Sequence, residues 1–234
     1  MPVTTEPIKQ RATQAGLAHG SLLSAVSLSR QLQGQWIWQG ISFDAFQGDR
    51  IAVVGPSGAG KSLLLRALAG LDPIQAGRII FDGQPMERQF MPRYRSQVIY
   101  LHQRPALTEG TVEENLQQVY RLAIHRDRTY DRNQILHYLK LLGRTADFLQ
   151  RPSAVLSGGE AQIVAFLRAL QLSPRILLLD EPTASLDIET ARRLEALVQA
   201  WRAENLQRAY LWTSHDPTQI QRITDRQITL NGGG

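Results

Sequence analysis

The chain has 234 residues, 43% of them hydrophobic and 20% charged, and it contains no cysteine. Such a chain is not a disordered one: it can bury a sizeable core in one α/β domain with a small subdomain, and without cysteine it has neither a disulfide framework nor a thiolate metal site, which fits a reducing cytosol. The formal charge of +5, mostly from arginine, suits anionic partners such as nucleotides, acidic lipid headgroups or nucleic acid, and equally an ordinary soluble surface with scattered arginines.

Residues 1–20 are polar, with Thr, Gln and two prolines, and read as a flexible lead-in without the apolar core of a signal peptide. No apolar run approaches the roughly 20 residues that span a bilayer, so work at a membrane would require another subunit to cross it. Residues 22–28 and 37–46 alternate between apolar and polar, which predicts two strands joined at LQGQ in a small antiparallel sheet.

Residues 51–62 read IAVVGPSGAGKS and run into LLLRALAG. This is a β-branched strand, a glycine-rich turn and a helix, and the turn satisfies G-x-x-x-x-G-K-[ST] through Gly55, Gly60, Lys61 and Ser62. Across Gly55, Pro56, Ser57, Gly58, Ala59 and Gly60 the backbone can fold tightly round an anion, with successive N–H groups and the positive end of the helix dipole facing phosphates. Lys61 would reach the β and γ phosphates, and the Ser62 hydroxyl would sit on Mg²⁺. A glycine turn that merely caps a helix would need neither the lysine nor the serine.

RIIFDG predicts a strand closed by an Asp-Gly turn, and residues 97–101 (QVIYL) another buried strand. From residue 111 to 143 apolar residues recur at helical spacing among Arg and Gln, an α-helical insert between two sheet-forming halves, with Thr111 and Glu114 spaced as a capping box. At LSGGEAQ, Ser157, Gly158 and Gly159 stand at the start of the helical run IVAFLRAL. They offer either ordinary N-capping or a second anion site, one that serves a nucleotide bound to another copy if two chains close head to tail round two ATP molecules. RILLLDEP ends a buried strand with Asp180 and Glu181, whose side chains point to opposite sides. Asp180 would hold Mg²⁺ through water, and Glu181 is the candidate general base for a water attacking the γ-phosphate. Residues 188–204 predict an amphipathic helix and residues 209–213 the next strand.

With GPSGAGKS, LSGGE, ILLLDEP, TASLD and TSHD in this order, nearly the whole chain after residue 20 resembles the nucleotide-binding subunit of an ATP-binding cassette (ABC) transporter. The resemblance implies an α/β fold: a P-loop NTPase (RecA-like) core with a mainly parallel sheet, a small N-terminal antiparallel β subdomain, and an α-helical subdomain at about residues 104–170, all in one domain of residues 21–234. It implies ATP and Mg²⁺ as cofactors and ATP hydrolysis as the activity. A homodimer, an integral membrane permease as partner, a peripheral place on the cytoplasmic face of the inner (plasma) membrane, and no nucleic acid partner also follow from it. Gln103, in YLHQRPAL, resembles the glutamine that contacts Mg²⁺ and the water and links the site to the membrane partner. Asp187, in ASLD, resembles the aspartate that crosses the dimer interface and borders the nucleotide. His215, in TSHD, resembles the switch histidine that contacts the γ-phosphate and positions the water beside Glu181. More narrowly, MPRYRSQVIYLHQRPALTEGTVEENL and the end closing at ITL resemble the Fet-type cassette associated with an iron exporter, although no residue here says iron.

Three positions depart from the family pattern. Arg30 stands where an aromatic residue usually stacks on adenine; a guanidinium plane can also stack on a base, with Trp36 as the neighbouring candidate. Leu63 replaces a second hydroxyl after GKS, removing an α-phosphate hydrogen bond of roughly 0.5–1.5 kcal/mol. Ile163 replaces an arginine after LSGGEAQ, which predicts a weaker or slower dimer. Two other classes stay open at this point: a soluble ABC ATPase on nucleic acid or the ribosome, whose members carry a long coiled coil or tandem cassettes that this chain lacks, and a membrane-complex regulator on the same cassette.

Overall fold

In the computed structural model, residues 20–87 and 90–231 are described; the predicted lead-in, Gly20 apart, lies outside them. Strands β1 (Ser21–Leu32) and β2 (Gln35–Phe46) form the expected antiparallel hairpin across Gln33 and Gly34. β4 (Ala76–Phe81) pairs antiparallel with β1, and β5 (Gln84–Pro85) with β4, giving a sheet ordered β2-β1-β4-β5. The RIIFDG strand therefore joins the N-terminal hairpin, not the main sheet.

The main sheet is parallel and ordered β6-β7-β8-β3-β9, built from β3 (Arg50–Val54), β6 (Val98–Leu101), β7 (Ile176–Asp180), β8 (Ala209–Thr213) and β9 (Arg226–Thr229). Its central strands are apolar on both sides. On β7, Leu177 and Leu179 enter one core with Tyr210 and Trp212, while Ile176 and Leu178 enter the other with Ala209 and Leu211. A strand buried on both faces reads as a continuous apolar run, which is why RILLLD and AYLWT stand out in the sequence.

One face is covered by helix α1 (Lys61–Leu68) and the antiparallel sheet, sharing a core of Leu64, Leu65, Leu22 and Leu28. The other is covered by α5 (Gly158–Leu170), α6 (Ile188–Ala203) and the segment between β6 and β7. Ahead of α5, that segment holds α3 (Val112–Gln117), α4 (Arg132–Leu141) and four short 3₁₀ turns. Thr111 and Glu114 form the expected capping box, with Glu114 N–H donating to the Thr111 hydroxyl and Thr111 N–H to the Glu114 carboxylate. Two further helices are short, α2 (Met91–Gln97) before β6 and α7 (Pro217–Ile223) before β9. In this arrangement the carboxyl ends of β3, β6, β7 and β8 all open toward one edge, the place where a parallel sheet presents its ligands.

Candidate functional site

The turn from β3 into α1 is built from backbone. Gly60, the N-cap of α1, has left-handed backbone (φ 81°) and gives no side-chain cap, so the first N–H groups of the helix stay free. A Cβ at Gly60 would sit 2.5 Å from Ile37 and 2.9 Å from Trp38 Nε1, and one at Gly55 would strike the Leu230 carbonyl. Only glycine fits at either position. Lys61, nearly buried, folds back over the turn: its Nζ donates to the carbonyls of Gly55 (2.9 Å) and Pro56 (3.0 Å). Weak neutral acceptors thus hold a cation at the mouth of a ring of free N–H groups, the arrangement of an anion cradle.

Asp180 ends β7 below this turn, 4% exposed. Its carboxylate is held by three neutral hydroxyls: Ser62 Oγ (3.0 Å) and Thr213 Oγ1 (3.0 Å) donate to Oδ1, and Tyr100 OH (2.8 Å) donates to Oδ2. Tyr100, in YLHQ, and Thr213, in TSHD, carry no role predicted from those stretches; strand register places them here, since β6 and β8 flank β7 and Thr213 lies directly opposite Asp180. Ser62 and Asp180 offer adjoining hard oxygens, the donor chemistry of Mg²⁺. Among the described residues no cluster of three or more His, Asp or Glu could hold a metal unaided. The donor set therefore fits a Mg²⁺ completed by water and phosphate oxygens, the usual way this ion is bound.

Glu181 turns the other way. Its backbone is left-handed (φ 46°), a conformation that costs a non-glycine residue roughly 1–3 kcal/mol. Its N–H donates to Thr213 Oγ1 at 2.9 Å, so one threonine anchors both acids. The Glu181 carboxylate stands between two of the predicted residues: His215 Nε2 is 2.8 Å from Oε1, and Gln103 Nε2 donates to Oε2 at 3.4 Å. Three loops after three different strands thus converge on one carboxylate. Beside it a cavity of about 480 Å³ is lined in part by Thr183, Leu186, Ser214 and His215.

Ser157 is the N-cap of α5 and forms a second capping box: Glu160 N–H donates to its hydroxyl (3.2 Å), and its N–H donates to Glu160 Oε2 (3.0 Å). Burial pushes the Glu160 carboxyl up, but the Ser157 N–H and the guanidinium of Arg151 outweigh it and hold the group below its ordinary range. A Cβ at Gly158 would meet open space, whereas Gly159 packs on Ser185 and Leu186, just before Asp187. Asp187 caps α6 by accepting from Thr190 N–H (2.9 Å), which lowers its pKa. Ile163 is fully buried inside the core, so the position offers the surface no polar group.

Arg30 sits opposite Trp38 on the β1–β2 ladder and donates from Nη1 to the Pro73 carbonyl at 2.6 Å. Pro73 follows the eight-residue helix α1, which rises about 12 Å from the glycine turn. The Arg30 guanidinium is thus turned to the loop beyond α1. The aromatic residues beside the glycine turn are tryptophans: Trp36 (41% exposed) and Trp38 line a cavity of about 610 Å³ together with Gln39 and Leu230, whose carbonyl abuts Gly55. Leu63 follows Ser62 in the first turn of α1 and has no hydroxyl to offer.

The family model described as "ABC transporter" matches residues 38–184. The spermidine/putrescine import ATP-binding protein PotA of Spiroplasma citri is 32% identical over 216 residues, which is 91% of this chain and 60% of that protein. The probable iron export ATP-binding protein FetA of Escherichia coli (strain K12) is 34% identical over 195 residues, which is 83% of this chain and 84% of that protein. Among solved structures, cbiO1 from Clostridium perfringens superposes with a TM-score of 0.76 at 23% identity, over 92% of this chain and 89% of that one. An ATP-binding cassette in a dimeric, post-hydrolysis state with ADP and Pi does so with a TM-score of 0.76 at 22% identity, over 91% and 97%.

Proposed function

This chain belongs to the ABC transporter family and is an ABC ATPase domain, and from that premise we propose that it is the ATP-binding and ATP-hydrolysing subunit that powers a membrane transporter. The observation that carries the reading is the convergence of His215 and Gln103 on Glu181, next to an Asp180 already held against Ser62 of the glycine turn.

In this reading the triphosphate lies along the free N–H groups of the turn, and Lys61 exchanges the carbonyls of Gly55 and Pro56 for the β and γ phosphates. Ser62, Asp180 and Gln103 would hold Mg²⁺, which would supply charge neutralisation at those phosphates. Trp36, at the edge of the 610 Å³ cavity, takes the base-stacking role in place of Arg30, which is bonded to Pro73. Glu181 accepts a proton from the attacking water while His215 orients the carboxylate and the γ-phosphate. The water oxygen bonds to the γ-phosphorus, the bond to the β-phosphate oxygen breaks, and ADP and phosphate leave. Ser157, Gly158 and Gly159 act on the nucleotide of a second copy, with Asp187 at the seam, so hydrolysis requires a homodimer; the open space above Gly158 supports this.

The partner proposed is an integral membrane permease, with the chain peripheral on the cytoplasmic face of the plasma membrane. Among the described residues no helix is long and apolar enough to cross a membrane. Iron is the cargo proposed, supported by the likeness to FetA over most of both chains. Affinity purification of the tagged chain from detergent-solubilised membranes tests the transport reading: a multi-span membrane protein that stimulates ATPase turnover is expected. A soluble chain whose ATPase is stimulated by nucleic acid would overturn it.

A further inference from the structure

Tyr100 lies on β6, two residues before the loop that carries Gln103, and its hydroxyl is the one donor to Asp180 Oδ2 among the described hydrogen bonds. Oδ1 of the same carboxylate takes both Ser62 and Thr213. The terminal torsion of an aspartate is broad and close to two-fold, so nothing intrinsic to Asp180 decides which oxygen faces the glycine turn. The donors decide it. Tyr100, on the neighbouring strand, pins one oxygen away from the turn and leaves the other against Ser62.

We propose that Tyr100 is a positioning residue, fixing the rotation of the Asp180 carboxylate so that Oδ1 stays in register with Ser62 for a divalent cation. This rests on the nucleotide-site reading above. Behind Tyr100 stands Arg66, on α1, which grips Asp72 with two hydrogen bonds of 2.8 Å. The Tyr100 hydroxyl on β6 and the Ser62 hydroxyl on α1 meet on the one carboxylate of β7, which ties the three elements together. Without the donor, Oδ2 would be a buried acceptor lacking a partner. The carboxylate would then rotate to recover one and draw Oδ1 off Ser62.

The test uses the full chain as wild type and Tyr100→Phe, which keeps the ring and removes one oxygen. Mn²⁺ is titrated into protein carrying a non-hydrolysable ATP analogue, with the nucleotide kept below the protein concentration, and bound Mn²⁺ is read from its EPR line shape. Analogue affinity is measured separately in EDTA. Tyr100→Phe is expected to weaken Mn²⁺ about 10-fold or more, in the range typical for groups that orient metal ligands, with analogue affinity in EDTA unchanged within about twofold. Wild-type Mn²⁺ affinity in the variant would overturn the proposal, as would joint loss of Mn²⁺ and metal-free binding, which would mark a merely structural role. A wild-type chain that binds no analogue would instead bring down the nucleotide-site reading, and this inference with it.

Discussion

Nε2 of His215 lies 2.8 Å from Oε1 of Glu181, although the two residues lie in loops that follow different strands of the parallel sheet. The left-handed backbone at Glu181 makes the meeting possible: it turns this carboxylate away from the direction of Asp180 and toward the loop after β8. His215→Ala is expected to lower kcat by about 10²–10⁴-fold, the range for a group that serves general-base chemistry, with ATP affinity changed by less than about tenfold. Steady-state phosphate release and nucleotide titration check this.

The capping box at Ser157 separates two roles of one residue. Ser157→Asp keeps an N-cap acceptor and is expected to hold stability within about 0.5 kcal/mol, whereas Ser157→Ala costs about 1 kcal/mol. If the start of α5 faces the γ-phosphate of a second copy, the added charge in Ser157→Asp abolishes ATP-driven dimerisation despite the intact cap. Denaturation midpoints and light scattering with ATP distinguish the effects.

Glu195 on α6 is 6% exposed and accepts from Arg222 (2.8 and 2.9 Å) and from Gln219 (2.8 Å), which also donates to Thr183 Oγ1 (2.9 Å). This clasp joins the helix after His215 to the segment between Glu181 and Asp187. Arg222→Ala leaves a buried carboxylate with Arg192, 4.0 Å away, as its remaining cation and is expected to destabilise the fold by about 2–4 kcal/mol, below the figure for a fully enclosed pair because Arg222 reaches solvent and Arg192 stays in place. Glu195→Gln in the same background should recover part of the loss, as read by urea denaturation.

His125 is 3% exposed with an unpartnered Nδ1, and burial first, then the positive charge of Arg128, holds its pKa below 6.5. The unfolded chain takes up a proton near pH 6.5 while the folded chain does so only at lower pH. The stability this group confers is therefore complete above about pH 6.5 and is lost as pH falls from there through the lower folded-state pKa. Urea midpoints at pH 7.5 and 5.5 should fall further for wild type than for His125→Phe; equal falls would contradict it.

Much of this was legible in the sequence because the elements that carry it are long or chemically punctuated. The glycine turn, the apolar runs of β7 and β8, and the capping box at Thr111 announce themselves in one chain. What stayed hidden depends on register or on brevity. Tyr100 and Thr213 reach Asp180 only because β6 and β8 flank β7. Helices α2 and α7 have seven residues each, too few for a 3.6-residue period to emerge. Arg30 occupies the expected strand, but its long side chain finds the Pro73 carbonyl, a distant partner that spacing cannot foretell.

We propose that Glu181, set between His215 and Gln103, takes the proton from water attacking bound ATP. Phosphate release by Glu181→Gln, measured with retention of radiolabelled ATP on the same protein, tests it most directly. Turnover is expected to fall by at least about 100-fold while ATP stays bound and intact. A variant that hydrolyses ATP at the wild-type rate would contradict the account.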